Sequence, residues 1–253
     1  DFVRRHEGRP FFLYLPWTLP HGKYVVPSLE SYADKDWPHD FKVHAAMVTR
    51  LDRDLGRLMA LLKELGLDEK TIVFFCSDNG GVERGEGILD SVGPFRGKKG
   101  QQTEGGLRVP MIVRWPGKVA AGKVSAAPWY FADVLPTLCE IGGAKVTAEV
   151  DGLSVLPTIL GGTQSVLNTR MMYWEQYNGG FQQAVRWGRW KGHYFVAKET
   201  FELYDLSADP METNDVASQQ PEVVRHIREF MTAVHVPSPN WIAKPPAKKA
   251  KKR

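Results

Sequence analysis

Thr71-Ile72-Val73-Phe74-Phe75-Cys76-Ser77-Asp78-Asn79-Gly80-Gly81 is the stretch on which the fold turns. From Thr71 to Cys76 it is apolar and partly β-branched without polar alternation, the pattern of a strand covered on both faces in a parallel sheet. An acid, an amide and two glycines follow at once, at the carboxyl end of the strand, where open α/β sheets bind their ligands. Upstream, Val48, Leu51, Leu55, Leu58, Met59, Leu62 and Leu65 recur at helical spacing with Arg50, Asp52, Arg53, Asp54 and Arg57 between them, predicting a helix over 44–65 capped by Gly66. Earlier still, Phe11-Phe12-Leu13-Tyr14-Leu15, bracketed by Pro10 and Pro16, reads as another buried strand. Strand, helix and strand predict a right-handed βαβ unit with parallel strands.

Downstream lies a glycine-rich loop from Asn79 to Gly106, then a third strand predicted over Leu107–Trp115 and ended by Pro116-Gly117. Asp133 is placed to cap a helix running through Leu138. After about residue 165 the texture changes. Met171–Trp174, Gln183–Trp187, Trp190–Val196 and Phe201–Tyr204 are short, aromatic and β-branched-rich, and predict a small antiparallel sheet. A closing helix is predicted over Glu222–Val234, with Pro221 at its start. The end of the chain, with Pro245-Pro246 and a lysine run, is expected to be disordered.

The chain has 253 residues, which at about 100–200 residues per domain means one large domain or a domain with an appendage. Its 43% hydrophobic and 25% charged residues exclude wholesale disorder. No apolar run reaches membrane-spanning length, so no membrane partner is expected. Cys76 and Cys139 are too few for a disulfide framework and match no zinc spacing. The net charge of +4 is carried by the tail: Lys244–Arg253 hold six basic residues, and the remainder has 27 basic against 29 acidic residues, a net of −2. A nucleic-acid partner would call for a basic stripe on the folded part, and none is expected. The opening Asp1-Phe2-Val3, without Met or signal pattern, reads as a piece of a longer chain.

Three places carry chemistry. Asp78 and Asn79 offer a carboxylate and an amide carbonyl, a donor set suited to a hard cation such as Ca²⁺ or Mg²⁺; an Asx turn closing a strand accounts for the same residues. His21, in Leu19-Pro20-His21-Gly22 just past the first predicted strand, is placed to protonate a leaving group or hold an anion, or is simply a loop histidine bonded to backbone. Lys98-Lys99, between Gly97 and Gly100, is placed to offer an ammonium to an oxyanion, or is a solvated pair.

Taken together, Phe11–Pro16, Pro20-His21-Gly22, Ser77-Asp78-Asn79-Gly80, Gly93-Pro94-Phe95-Arg96-Gly97-Lys98-Lys99-Gly100, Glu104-Gly105-Gly106-Leu107-Arg108-Val109-Pro110 and Trp115-Pro116-Gly117 resemble the sulfatase family, in the order and spacing of its bacterial arylsulfatase-type members. Glu202-Leu203-Tyr204-Asp205-Leu206 and Asp209-Pro210-Met211-Glu212 resemble the family's C-terminal subdomain. The resemblance implies an α/β fold: part of an alkaline-phosphatase-like mixed or parallel sheet flanked by helices, plus a small C-terminal antiparallel sheet with a helix. Residues 1–165 then form the C-terminal part of the catalytic domain, 166–241 an α+β subdomain, and 242–253 a basic tail.

The resemblance also implies roles. Asp78 and Asn79 match two metal ligands, for Ca²⁺ or alternatively Mg²⁺. His21 matches the histidine that contacts sulfate and protonates the leaving oxygen, and Lys99 the lysine that binds a sulfate oxygen. Lys99 is preferred to Lys98 because the family's lysine follows two small residues after the arginine, and Lys98 stands in place of the second. Thr103 stands where an aromatic residue is frequent. The implied substrate is a sulfated small molecule or carbohydrate, and the implied compartment periplasmic or extracellular. The family's nucleophile is a formylglycine made within Cys/Ser-x-Pro/Ala-x-Arg, and no segment of this chain fits that motif, nor are the paired N-terminal aspartates of the metal site present. Both are expected upstream, so the chain alone is expected to be inactive. Two other readings compete: a phosphate or phosphonate ester hydrolase of the same superfamily, and a non-catalytic module with a basic tail.

Overall fold

The computed structural model describes residues 1–82, 87–177 and 180–240, so the expected disorder of the tail lies outside the described residues. These residues form two compact units, one of 1–75, 87–90 and 112–122, the other of 76–82, 91–111 and 123–240. No helix among them is long and apolar enough to cross a membrane.

The first unit contains α1 (Phe2–Arg5), α2 (His39–Glu64), β1 (Val73–Cys76) and β2 (Met111–Arg114), the two strands pairing as one sheet. Val3, Leu62 and Leu67 are buried at its centre, with Phe11, Leu13, Leu58, Met59 and Val73 packed on them. Helix α2 ends as its sequence implies: Gly66 takes a φ of +65°, which a residue with a Cβ rarely adopts, and Leu67 N–H turns back to the Leu62 carbonyl at 2.9 Å. Its other end starts five residues before the apolar repeat suggests, and there it buries Val43, Ala45, Ala46 and Met47 while Val48 is exposed. Small alanines lie flat against a neighbour without producing an apolar stripe in the sequence, which is why the repeat misplaces this face.

Three expectations need correction. Phe11–Leu15 is not a strand: no described strand pairs with it, and while Phe11 and Leu13 reach the core, Phe12 and Tyr14 are 69% and 74% exposed. The βαβ unit therefore lacks its first strand among the described residues. The third strand is shorter than Leu107–Trp115, because Glu104–Leu107 closes as a helical turn and Pro110, without an N–H to give a ladder, precedes β2. At the end of β2, Arg114 grips both carboxylate oxygens of Asp68 at 2.7 and 2.9 Å, and just past it the Trp115 indole N–H donates to the Glu69 carbonyl.

The second unit contains α3 (Glu104–Leu107), α4 (Val134–Ile141), α5 (Leu156–Ile159), α6 (Val166–Thr169), the strands β3 (Met171–Gln176), β4 (Gln182–Trp187), β5 (Trp190–Phe195) and β6 (Thr200–Asp205), and α7 (Pro221–Val234). The four strands form an antiparallel meander in sequence order, as expected. Val185 and Leu203 on the sheet and Ile227 and Met231 on α7 make its core. Gly192 lets the helix approach: a Cβ there would meet Phe201 at 2.7 Å and Ile227 at 3.0 Å. Asp133 does stand at the start of α4, but its buried carboxylate does not cap it. It accepts from the backbone N–H groups of Tyr130 and Leu153 at 3.0 Å and from the Arg170 guanidinium.

Candidate active site

Ser77 to Gly81 leaves β1 as an irregular loop of the second unit. Ser77 Oγ donates to the Asn79 carbonyl at 3.1 Å and Asn79 Nδ2 to the Gly80 carbonyl at 3.2 Å. With its amide nitrogen so engaged, Asn79 keeps its carbonyl oxygen as the free-standing hard donor. Asp78 is exposed, and no described cation pairs with it. These two oxygens fit a hard cation chemically, although Ca²⁺ takes 6–8 oxygen ligands, and no group of three or more His, Cys, Asp or Glu that could hold a metal gathers among the described residues. Burial, then the Asp78 charge, pushes the neighbouring Cys76 thiol above its ordinary value, the opposite of an activated nucleophile.

Lys99 comes to this loop through the backbone. Its N–H donates to the Gly81 carbonyl at 2.7 Å, and the Gly80 N–H donates to Gly106 at 2.9 Å. The segment between closes on itself where Gly105 N–H donates to the Arg96 carbonyl at 2.8 Å. Main chains pass so close here that a Cβ on Gly80, Gly105 or Gly106 would overlap carbonyl groups of the facing segments. The glycines of Asp-Asn-Gly and Glu-Gly-Gly are thus two halves of one contact. Gly97, at φ +79°, turns the chain out toward the exposed Lys98 and Lys99.

The structure brings together Asp78, Asn79 and Lys99. His21 belongs to the first unit, exposed in its loop, where the ring Nδ1 donates to the Gly22 carbonyl at 2.5 Å. A carbonyl can only accept, so the proton is on Nδ1 and Nε2 is left for exchange with a ligand.

What the sequence did not reveal is the support beneath the turn. The Glu104 carboxylate is buried; Lys191 donates to its Oε1 at 2.7 Å and Arg108 to its Oε2 at 2.6 Å. Its own backbone N–H donates to Glu212 Oε2 at 2.7 Å. Burial alone raises this carboxyl, but Lys191 and then Arg108 outweigh it and hold it down at about 2. Glu212 moves the other way, raised by its burial against a weaker pull from Lys191, 3.9 Å away. His193, on the same strand as Lys191, is lowered to about 3 by burial and then by the Lys191 charge, so it is neutral at neutral pH. Glu104, Glu202 and Glu212 all sit in motif segments, yet nothing local announces that they meet.

Residues 1–144 match the sulfatase family model, more than half of the chain. The chain belongs to the sulfatase family. Residues 98–236 also match the model described as N-sulphoglucosamine sulphohydrolase, C-terminal. Among sulfatases, mouse steryl-sulfatase is 36% identical over 209 residues, covering 77% of this chain and 32% of the relative. The N-acetylgalactosamine-6-O-sulfatase of Bacteroides thetaiotaomicron is 32% identical over 262 residues, covering 92% and 49%. The crystal structure of Ps i-CgsB in complex with k-i-k-neocarrahexaose superposes with a TM-score of 0.80 at 29% identity, covering 96% of this chain and 55% of that one. The fold is accordingly the α/β sulfatase fold of the alkaline-phosphatase-like superfamily, and the chain spans about a third to a half of the curated relatives it matches.

Proposed function

We propose that this chain is the C-terminal part of a sulfuric ester hydrolase, in which Lys99 holds a sulfate oxygen, Asp78 and Asn79 hold a divalent cation, Ca²⁺ or Mg²⁺, and His21 protonates the departing alcohol. The observation that carries this reading is the bond from Lys99 N–H to the Gly81 carbonyl, which makes the ammonium-bearing turn and the Asp-Asn loop one backbone assembly. A sulfate ester needs cationic partners for its oxygens and an acid for its leaving group. Lys99 supplies the first from an exposed stem. His21 supplies the second from the Nε2–H of its imidazolium form, while Nδ1–H stays on the Gly22 carbonyl. A divalent cation, when bound, supplies Lewis-acid polarisation of sulfate oxygens, and Asp78 offers charge neutralisation where Asn79 offers a neutral oxygen.

In this reading residues 1–165 belong to the catalytic domain and 166–241 to its C-terminal subdomain. The formylglycine nucleophile and the remaining acidic ligands come from outside this chain. The names of the Bacteroides relative and of the carrahexaose complex support a sulfated carbohydrate as substrate. A periplasmic or extracellular setting is part of the same proposal and follows from the family resemblance alone.

The test is turnover of an aryl sulfate by the full-length protein. Lys99→Ala should lower kcat by about 10²–10³-fold, the scale of losing one oxyanion partner. His21→Ala should cost about 10²–10⁴-fold, less for substrates with good leaving groups. Asp78→Ala should weaken cation binding and activity together, and Asn79→Ala should do the same more mildly. An active Asp78→Ala variant that still needs metal would return these residues to the Asx-turn reading.

A further inference from the structure

Lysine is a poor positional device by itself: a compact charge on a flexible four-carbon stem, whose placement depends on the backbone that carries it. The backbone carrying Lys99 is anchored at both ends to the C-terminal sheet by buried or half-buried charge. At one end, Arg96 Nη1 and Nη2 each donate to Glu202 Oε2 at 3.0 Å, and Nη1 also donates to the Tyr204 hydroxyl. At the other, Glu104 takes Lys191 and Arg108 on its two oxygens and hands its own N–H to Glu212. In the strand register Lys191 stands opposite Tyr204 and His193 opposite Glu202, so both anchors rest on one face of β5 and β6. Between them run only the residues from Gly97 to Thr103, with Lys99 at the turn and the Gly105–Arg96 backbone bond across its base.

The chemistry of the anchors is not that of ordinary packing. Lys191 is fully buried, and Glu104 and Glu212 nearly so. Buried charge costs stability unless paired, and an apolar core of the same volume is as stable or more so. Such a cluster contributes a single defined geometry. We propose that Lys191 and Glu104, with the Arg96–Glu202 pair, are positioning residues that hold the Lys99 turn in the register where its ammonium meets the sulfate. This rests on the reading of Lys99 as the sulfate-holding lysine.

The test is a double-mutant cycle in the full-length protein, Lys191→Met against Lys99→Ala, read as kcat/KM on an aryl sulfate and as amide hydrogen exchange. Lys191→Met should lower kcat/KM at least tenfold when Lys99 is present and less than twofold when it is already alanine. Exchange at 97–101 should quicken at least tenfold more than exchange at Val185 and Ile227 does. A merely structural role predicts an equal loss in both backgrounds, and that result, or unchanged exchange at 97–101, overturns the proposal. The exchange arm decides on its own where Lys99→Ala is too slow to measure. Should Lys191→Met fail to fold, Glu202→Gln, at the more exposed anchor, is read by the same two criteria. A wild-type protein that turns over no sulfate ester refutes the proposed function separately, because the exchange arm does not depend on turnover.

Discussion

The two compact units stand in opposite conditions. In the second, every strand of the four-stranded sheet has its neighbour, and Val185, Leu203, Ile227 and Met231 are buried between sheet and helix. In the first, a two-stranded sheet leaves Ile112 59% exposed, and the Phe11–Leu15 run lies open with Phe12 and Tyr14 in solvent. Both regions are rich in strand-forming residues. What separates them is where the partners come from: the meander β3–β6 pairs each strand with the next in sequence, whereas a continuous apolar run such as Phe11–Leu15 needs covering from distant chain. Local pairing makes a unit self-sufficient, and non-local pairing makes it dependent.

The strongest way to test that contrast is activity. Purified 1–253 should turn over no aryl sulfate, because the proposed reading places the covalent nucleophile outside it; losing a nucleophile costs on the order of a millionfold in rate. A rate near that of the full-length protein would mean the first unit completes a site unaided. Next in size are core and charge deletions in the second unit. Lys191→Met should destabilise it by about 3–5 kcal/mol, since it strands Glu104 and Glu212 without their shared cation. Leu203→Ala should cost about 2–5 kcal/mol by leaving a cavity. Both are measurable as shifts in urea midpoint monitored by probes in the sheet.

A smaller effect comes from pH. The His193 imidazole, lowered from its ordinary 6.5 to about 3 first by burial and then by Lys191, is neutral when folded and takes a proton on unfolding. Its contribution is therefore fully present above about pH 6.5 and is lost as pH falls toward 3. Glu104, held at about 2 against an ordinary 4.5, adds a loss in the same direction as pH falls from about 4.5 to 2. The urea midpoint of the sheet should fall over this window, and His193→Gln should flatten the upper part of the slope. A midpoint independent of pH between 6.5 and 3 in the wild type would mean His193 is not buried as described. The smallest expected effect is Phe12→Ser in purified 1–253, within about 0.5 kcal/mol of zero, because its ring is already in solvent. Amide exchange should match: slow in β4 and β5, fast over 11–15. Slow exchange there would show the run to be paired after all.

Much of the second unit is legible residue by residue. The alternating segments after Ser165 become β3–β6, and Pro221 opens α7. In the first unit Gly66 ends α2. These are short-range matters of period, turn and cap, and the information lies within a few residues. The candidate site is legible in part for the same reason: Asp78 and Asn79 follow a strand, and the glycines around Lys99 mark a sharp turn. Phe11–Leu15 misleads because an apolar run states a need for cover without saying whether cover is at hand.

By itself the sequence determines the three longer helices α2, α4 and α7, the meander, the absence of a nucleophile motif and the sulfatase resemblance, because each is written in local spacing or in a motif. Only the tertiary structure decides which of its 33 basic residues is buried. Lys191 lies 87 positions from Glu104, and Glu212 lies 108 positions beyond the N–H it accepts. A lysine in a strand looks the same in sequence whether it faces water or a carboxylate. Its charge becomes structural only when folding removes the water and leaves Glu104 as the nearest oxygen.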